Sequence, residues 1–169
     1  MSELNVNENG EKKYKEAIVN LSRVAKVVKG GRRFSFSVLV AVGDEDGNIG
    51  LGFGKANETS DAISKATSDA RKNMKSIKLT KTRTLPHEII GRFKGSKVIM
   101  RPARPGTGVI AGGAVRSIMD VVGVHNVLAK VVGSKNQINV SKATLDGLSR
   151  LMTVKEVAKR RGKSIQDIF

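Results

Sequence analysis

A chain of 169 residues with 39% apolar side chains is long enough for one ordinary domain or two small ones with modest cores. Its 31 Lys and Arg against 15 Asp and Glu give a formal charge of +16, more than solubility requires, so the composition calls for a polyanionic partner. With no cysteine, two histidines and no run approaching roughly 18 apolar residues, the sequence excludes a disulfide framework, a thiolate metal site and a membrane-spanning helix.

A phosphate backbone is the usual polyanion, and an anionic membrane surface is the rival. Aromatic residues make up only 4% of the chain and tryptophan is absent, which favours recognition of the shape and backbone of folded RNA over base stacking. The polar, acidic stretch from Met1 to Glu11 does not resemble a secretory signal, and a reducing cytoplasm is the expected home.

In chain order, residues 1–13 read as a flexible polar tail. Glu16–Val28 carries β-branched residues on both parities. Arg32–Val42 alternates, with Phe34, Phe36, Val38, Val40 and Val42 on one face, so both segments are expected to be strands and both phenylalanines core. Lys29-Gly30-Gly31 forms the turn between them, Gly43 to Asn48 a second turn, and Ile49–Lys55 the third strand of an antiparallel meander. A helix is predicted over Glu58–Ile77, capped by Asn57, Thr59 or Ser60, with Ile63, Ala66, Ala70, Met74 and Ile77 packed on the sheet. Lys65, Arg71, Lys72, Lys75 and Lys78 form its basic outer band. Lys78–Leu85 reads as a short strand running into a linker at 81–84, with a domain boundary near Leu85.

Beyond that boundary, Glu88–Phe93 and Lys97–Arg101 are expected to pair around Lys94-Gly95-Ser96. A glycine-rich passage opens a helix over Ala114–Val122, His125–Val132 is a strand, and Ser141 caps a helix carrying Leu145, Leu148 and Leu151. A short basic helix from Thr153 and an end piece at Lys163–Phe169 complete the chain. The expected segments are 1–13 tail, 14–80 first domain, 81–84 linker, 85–152 second domain and 153–169 basic helical tail.

Gly106, Gly108, Gly112 and Gly113 precede a helix and are flanked by Arg101, Arg104 and Arg116, a pattern suited to binding phosphate through backbone amides; tight chain clearance is the alternative. The passage does not match G-x-x-x-x-G-K-[ST], and no strand–GxGxxG–helix unit is present. Gly50, Gly52 and Gly54 precede Lys55 without any other kinase element, so they are expected to admit a close approach by RNA or by the neighbouring domain. His87 and His125 form no metal pattern, and Asp44, Glu45 and Asp46 are explained by turn chemistry. Catalysis, a cofactor and a metal are therefore not expected. From Arg71 to Arg104 eleven basic residues face one acid, Glu88, and the first hairpin adds Arg23, Lys26, Lys29, Arg32 and Arg33 as a second basic element.

Five blocks then carry a resemblance: VKGGRRFSFSVLVAVGD from Val28, GLGFGKA from Gly50, RPARPGTGVIAGGAVR from Arg101, GVHNVLAKVVGS from Gly123 and KRRGKSIQDI from Lys159. In this order they resemble the family of the fifth protein of the bacterial small ribosomal subunit, over nearly all of Tyr14 to Ile168. The resemblance implies an α+β chain: an N-terminal domain similar to the double-stranded-RNA-binding fold without its first helix, then a C-terminal α/β sandwich with a left-handed βαβ crossover. It further implies a structural role in the small subunit and binding to its 16S-type RNA near the central pseudoknot at the head–body hinge. Proteins four and eight of the subunit are the implied neighbours, with effects on assembly and decoding accuracy and a surface beside the messenger entry path. The loop Lys26, Val27, Val28, Lys29, Gly30 and Gly31 matches one lying near the spectinomycin site.

With the charge pattern, the resemblance assigns RNA contact to Arg23, Lys26, Lys29, Gly30, Gly31, Arg32, Arg33, Lys55, Lys65, Arg71, Lys72, Lys75, Arg92, Lys97, Arg101, Arg104, Thr107, Gly108, Gly112, Gly113, Arg116, Asn126 and Lys130. Lys159, Arg160, Arg161 and Lys163 are assigned to a protein-contact tail. Arg104-Pro105 and Phe53 depart from the family pattern, where a small residue with an acid, and a tyrosine, are common. A free-standing RNA chaperone and a small-molecule kinase are the competing readings; the second lacks an ATP loop.

Overall fold

The computed structural model describes residues 14–166, so the expected tail at 1–13 and the last three residues of the end piece lie outside the described residues. The chain runs β1 (Lys15–Val28), β2 (Gly31–Gly43), β3 (Asn48–Ala56), α1 (Thr59–Lys72), β4 (Lys75–Ser76), β5 (Ile89–Phe93), β6 (Ser96–Pro102), β7 (Val109–Ile110), α2 (Gly113–Val122), β8 (Val127–Gly133), α3 (Gln137–Ser149) and α4 (Val154–Arg161). It is the α+β architecture expected, an antiparallel sheet β1-β2-β3-β4 with a helix, followed by a mixed sheet β5-β6-β8-β7 with helices. β7 and β8 are parallel neighbours joined through α2, which supplies the βαβ crossover.

One face of the first sheet packs on α1 through Val38, Val40 and Val42 against Ala62, Ala66 and Ala70. The approach is close because β3 offers no side chains there: a Cβ on Gly50, Gly52 or Gly54 would stand 2.0, 1.9 or 2.1 Å from the carbonyl oxygens of Ala70, Ala66 and Ala62. These three glycines therefore admit the protein's own helix, not RNA or the other half of the chain. Gly91 in β5 does the same for α3, where a Cβ would meet the Ala143 oxygen at 1.9 Å.

The opposite face of the first sheet is also buried at its base. Ala41, Ile49 and Ile77 belong to a second core with Val98, Met100, Val115, Ile118, Met119, Val122, Leu148 and Leu151. α2 packs on β1 and β2 while α3 packs on β5 and β6, giving four layers: α1, first sheet, α2 with α3, second sheet. The halves are also joined through backbone. The β2–β3 turn donates the Glu45 and Gly47 amides to the Val121 and Val122 carbonyls at 3.1 and 3.0 Å, closing the C-terminus of α2. Gly123, at φ 88°, lets this turn seat, since a Cβ would fall 2.0 Å from the Glu45 oxygen.

Several local expectations shift. The first helix stops at Lys72 because Asn73 leaves helical geometry and Lys75–Ser76 pairs with Asn48–Ile49; Ile77 is buried, but from beyond the helix. Its N-cap is the backbone of Glu58, and neither Asn57, Thr59 nor Ser60 provides a side-chain cap. Residues 78–85 form no strand. Instead Arg83 N donates to Thr80 O, and Thr84 bridges to Asn126. The expected linker is thus tied down, with the Arg83 guanidinium donating to Glu45 O at 3.0 Å and its carbonyl accepting from His125 N. Strand β8 begins at Val127, two residues late. Ser141 does not cap α3: it is buried in the helix with Oγ donating to Gln137 O, while Asn136 Oδ1 accepts from Ile138 N and Asn139 N. The expected basic helix is α4, opened by a Thr153–Glu156 capping box.

Candidate nucleic-acid interface

The positive charge falls on a projecting arm, an open sheet face, a groove and two helix surfaces. β3 pairs with β2 only as far as Phe36, so β1 and β2 continue alone for five more residue pairs, from Val24↔Ser35 to Val28↔Gly31. At about 3.4 Å per residue the tip at Gly30 lies roughly 20 Å beyond the supported sheet. Lys26, Val27, Lys29, Gly30, Gly31, Arg32 and Arg33 are exposed there, with Val28 half-buried. Lys26 and Arg33 face each other across the ladder, a like-charge pair that destabilises an isolated hairpin. From residue 17 to residue 43 the sequence holds no acid to offset them. Phe34, expected in the core, is 47% exposed, because the α1 core ends at Phe36. The Arg23 guanidinium covers it at 3.9 Å from the ring centroid.

The second sheet leaves its outer face open. Register places Arg92, Lys97, Arg101 and Lys130 on this face with Ile90, Ile99, Leu128 and Val132. Arg92 and Lys97 form a second like-charge cross-strand pair, whereas Arg101 is paired with Glu88 at 2.9 Å. Lys55 is exposed on the first sheet, on the side away from α1.

The glycine passage borders an open groove of about 630 Å³ between the N-terminus of α2, the free edge of β8 at Ala129–Val131 and the start of α3. Gly112, Gly113, Arg116 and Lys130 line it, and so does Lys135, which sequence reasoning missed although it directly precedes the cap of α3. A Cβ on Gly112 or Gly113 would meet nothing within 4 Å, so chain clearance does not explain these glycines. Gly106 and Gly108, at φ 92° and 75°, are explained by backbone conformation. The Gly108 amide is already bonded to Asn126 Oδ1 at 3.1 Å, and Asn126 is buried, so both hold the loop in shape from within. Arg104 and Thr107 are exposed on that loop, and Arg116 donates to Val109 O.

On α1 and β4, Lys65, Lys72 and Lys75 are exposed, but Arg71 is held by Glu16 at 3.1 Å and leans toward Tyr14. The basic band is therefore interrupted. Lys159, Arg160, Arg161 and Lys163 are exposed around the C-terminus of α4, which Gly162 closes in left-handed geometry. Their charge complements the helix dipole.

Acidic groups serve the fold. Asp44 Oδ1 accepts from the Asp46 and Asn48 amides at 2.9 Å. Burial pushes the Asp44 carboxyl up, but hydrogen bonds from the Asn48 side chain and from the turn amides outweigh it and hold the group below its ordinary value. The Lys15 ammonium is raised by its bond to Glu45, and the exposed Glu156 carboxyl is lowered by Lys78. His87 Nε2 accepts from Met152 N, and His125 is exposed at a strand entry. Among the described residues no group of His, Asp and Glu could hold a metal, and no helix is long and apolar enough to cross a membrane.

Comparison with known proteins gives two family matches. Residues 14–78 match the N-terminal domain of ribosomal protein S5, and residues 91–161 match its C-terminal domain. Among curated relatives, the small ribosomal subunit protein uS5 of Treponema denticola is 53% identical over 163 residues, covering 96% of this chain and 94% of that protein. The protein of the same name from Syntrophobacter fumaroxidans is 54% identical over 153 residues, covering 90% and 92%. That from Borreliella burgdorferi is 49% identical over 164 residues, covering 97% and 99%.

Proposed function

The chain belongs to the ribosomal protein S5 family and is a structural constituent of the small ribosomal subunit, not an enzyme, and from that premise we propose that it works as a two-ended basic clamp on the subunit's RNA. One end is the β1–β2 arm; the other is the groove at the glycine passage with the adjoining open sheet face. The observation that carries this reading is the acid-free arm with Lys26 opposite Arg33. Such a pair costs stability in isolation and is relieved when phosphates lie beside it, so the arm is built for a polyanion.

The finer placement follows from the family resemblance. The clamp sits at the head–body hinge near the central pseudoknot, with proteins four and eight as neighbours, the arm tip near the spectinomycin site and one surface beside the messenger path. There it contributes to assembly and decoding accuracy. The segments 14–80 and 85–152 are its two gripping units, and the basic tail from residue 153 supports protein contact.

The test is filter binding of the full chain to small-subunit RNA across a salt series. Replacing both Lys26 and Arg33 by alanine is expected to weaken binding and to lower the slope of log affinity against log salt by roughly 1.5, the loss of two phosphate contacts. An unchanged slope and affinity overturn the arm's role. Gradient fractionation gives a second measure: near one copy per small subunit supports the constituent role, and a mainly free pool contradicts it.

A further inference from the structure

We infer that Phe34 and Arg23 form a flat stacking platform for a single unpaired nucleobase, so that the arm recognises an extruded base on one face while its other face engages phosphate. This deepens the clamp reading and rests on it. The register separates the two faces. Arg23, Ala25 and Val27 share one face with Arg32, Phe34 and Phe36, while Val24, Lys26 and Val28 share the other with Gly31, Arg33 and Ser35.

Phe36 closes the core against α1, but Phe34 lies one step beyond and is 47% exposed on a segment with no covering helix. An exposed phenylalanine on an unsupported two-stranded ribbon adds nothing to the core and disfavours the free state in water. The guanidinium of Arg23 lies 3.9 Å from the ring centroid, close enough to stack on it. Among the described residues Arg23 has no carboxylate partner, so its N–H groups remain available to a phosphate or a base edge while its plane stays on the ring. Arg32 and Val27, the latter 75% exposed, extend the same face toward the tip.

The occupant follows from chemistry. The guanidinium plane, backed by the ring, offers a cationic π surface to a base, and the surrounding charge is positive with no acid between residues 17 and 43. A base carried on a phosphate backbone satisfies both; an acidic protein segment would satisfy the charge but leave the ring unused. The platform takes a base that is bulged or looped out, because a base within a duplex presents no free face.

The experiment uses the full chain with two probes: small-subunit RNA, and a hairpin RNA carrying a single bulged 2-aminopurine. Four variants are compared: Phe34→Leu, which keeps an apolar side chain but removes the plane, Phe34→Trp, Arg23→Lys, and Lys26→Ala with Arg33→Ala. Wild type is expected to quench the 2-aminopurine on binding. Phe34→Leu should lose the quenching and bind the bulged hairpin roughly tenfold more weakly, within the range one stacked base contributes. Its salt slope should be unchanged, because no phosphate contact is lost. Phe34→Trp should restore binding and show quenching of its own emission, the chain having no other tryptophan. Arg23→Lys, which keeps the charge, should fall between. Since Phe34 lies outside the core, thermal unfolding should be unaltered in the two Phe34 variants. If Phe34→Leu binds both RNAs like wild type while the Lys26–Arg33 double variant is weakened, the platform is overturned and the clamp stands. If wild type fails to bind small-subunit RNA at all, both fall together.

Discussion

Replacing Gly52 by alanine adds one methyl group, yet it is expected to be among the more damaging substitutions in the chain. A Cβ there would stand 1.9 Å from the Ala66 carbonyl oxygen and 2.3 Å from the Ala70 nitrogen. To reach an ordinary contact of about 3.4 Å the helix must retreat about 1.5 Å, lifting Ala62, Ala66 and Ala70 from Val38, Val40 and Val42. Overpacking of this kind costs about 1–3 kcal/mol, and a backbone obstacle places it at the upper end. The lower unfolded-state entropy of alanine returns about 0.5–1 kcal/mol, leaving a net loss of roughly 2 kcal/mol. Urea denaturation of the full chain measures it, with Gly30→Ala as a control because a Cβ there meets nothing within 4 Å. The obstacle is the Ala66 carbonyl and not its methyl group, so adding Ala66→Gly should fail to rescue the variant. Stability of Gly52→Ala within about 0.5 kcal/mol of wild type, or full rescue by Ala66→Gly, would refute the close helix–strand seat.

Asp44→Ala should cost about 1–2 kcal/mol at neutral pH by freeing the β2–β3 turn, measured by thermal or urea unfolding. Because the folded carboxyl lies below the ordinary aspartate value of 3.8, its contribution is present above that pH and fades as pH falls through the folded value; the gap between variant and wild type should begin to narrow only below about pH 4 and shrink further as the pH is lowered. Asn136→Ala should lose about 1 kcal/mol as a cap deletion, more than the Ser141 hydroxyl would cost on removal to alanine; the reverse order in urea would contradict the assignment of the cap. Gly113→Asp should leave folding intact, since the site is open and an acid suits a helix N-terminus, yet lower affinity for small-subunit RNA; unchanged binding would remove the groove from the interface. Lys29→Glu, on an exposed turn, should alter spectinomycin sensitivity of cells carrying it without loss of thermal stability, and identical drug response would count against the arm's proposed location.

Most strands and helices were legible because their signals are local, whereas the two-residue strands β4 and β7 and the irregular course of 78–85 were not. Two-residue turns at Lys29-Gly30 and Lys94-Gly95, the alternation of β2 and the helix-length runs all act within a few residues. The partner of a small residue is not local. Nothing near Gly50, Gly52 and Gly54 says that their neighbour is a stripe of alanines eight to twenty residues on. Alternation likewise identified one buried face of β2 but not the second, because Ala41 joins the core that includes α2, about eighty residues away. Phe34 misled in the opposite direction: its parity is that of the core, but the core ends before it. Among the candidate site residues, exposed cations were readable from charge. The inward roles of Asn126 and the Gly108 amide depend on a hydrogen bond across eighteen positions.

Charge counted along the sequence also understates how the molecule divides its ionic groups. Asp69 and Asp146, each on a helix packed over a glycine-bearing strand, accept the amides of Phe53, on the part of β3 that β4 leaves unpaired, and of Arg92, on the free edge of β5, at 3.0 Å. Such edges otherwise invite strand addition. Asp44 shapes the turn that joins the two halves, Glu156 opens α4, and Glu16 holds Arg71. The ion pairs found are Lys15–Glu45, Arg71–Glu16, Lys78–Glu156, Arg101–Glu88 and Arg150–Asp146, all exposed, so water screens them and they add little stability. None of the five involves a cation of the β1–β2 arm or of the groove. The acids thus satisfy backbone groups and fix joints, while the arm and groove cations keep their capacity for an external anion. A uniform surplus of positive charge would serve solubility; this partition leaves the arm and groove cations without acidic partners on a body whose halves share one core.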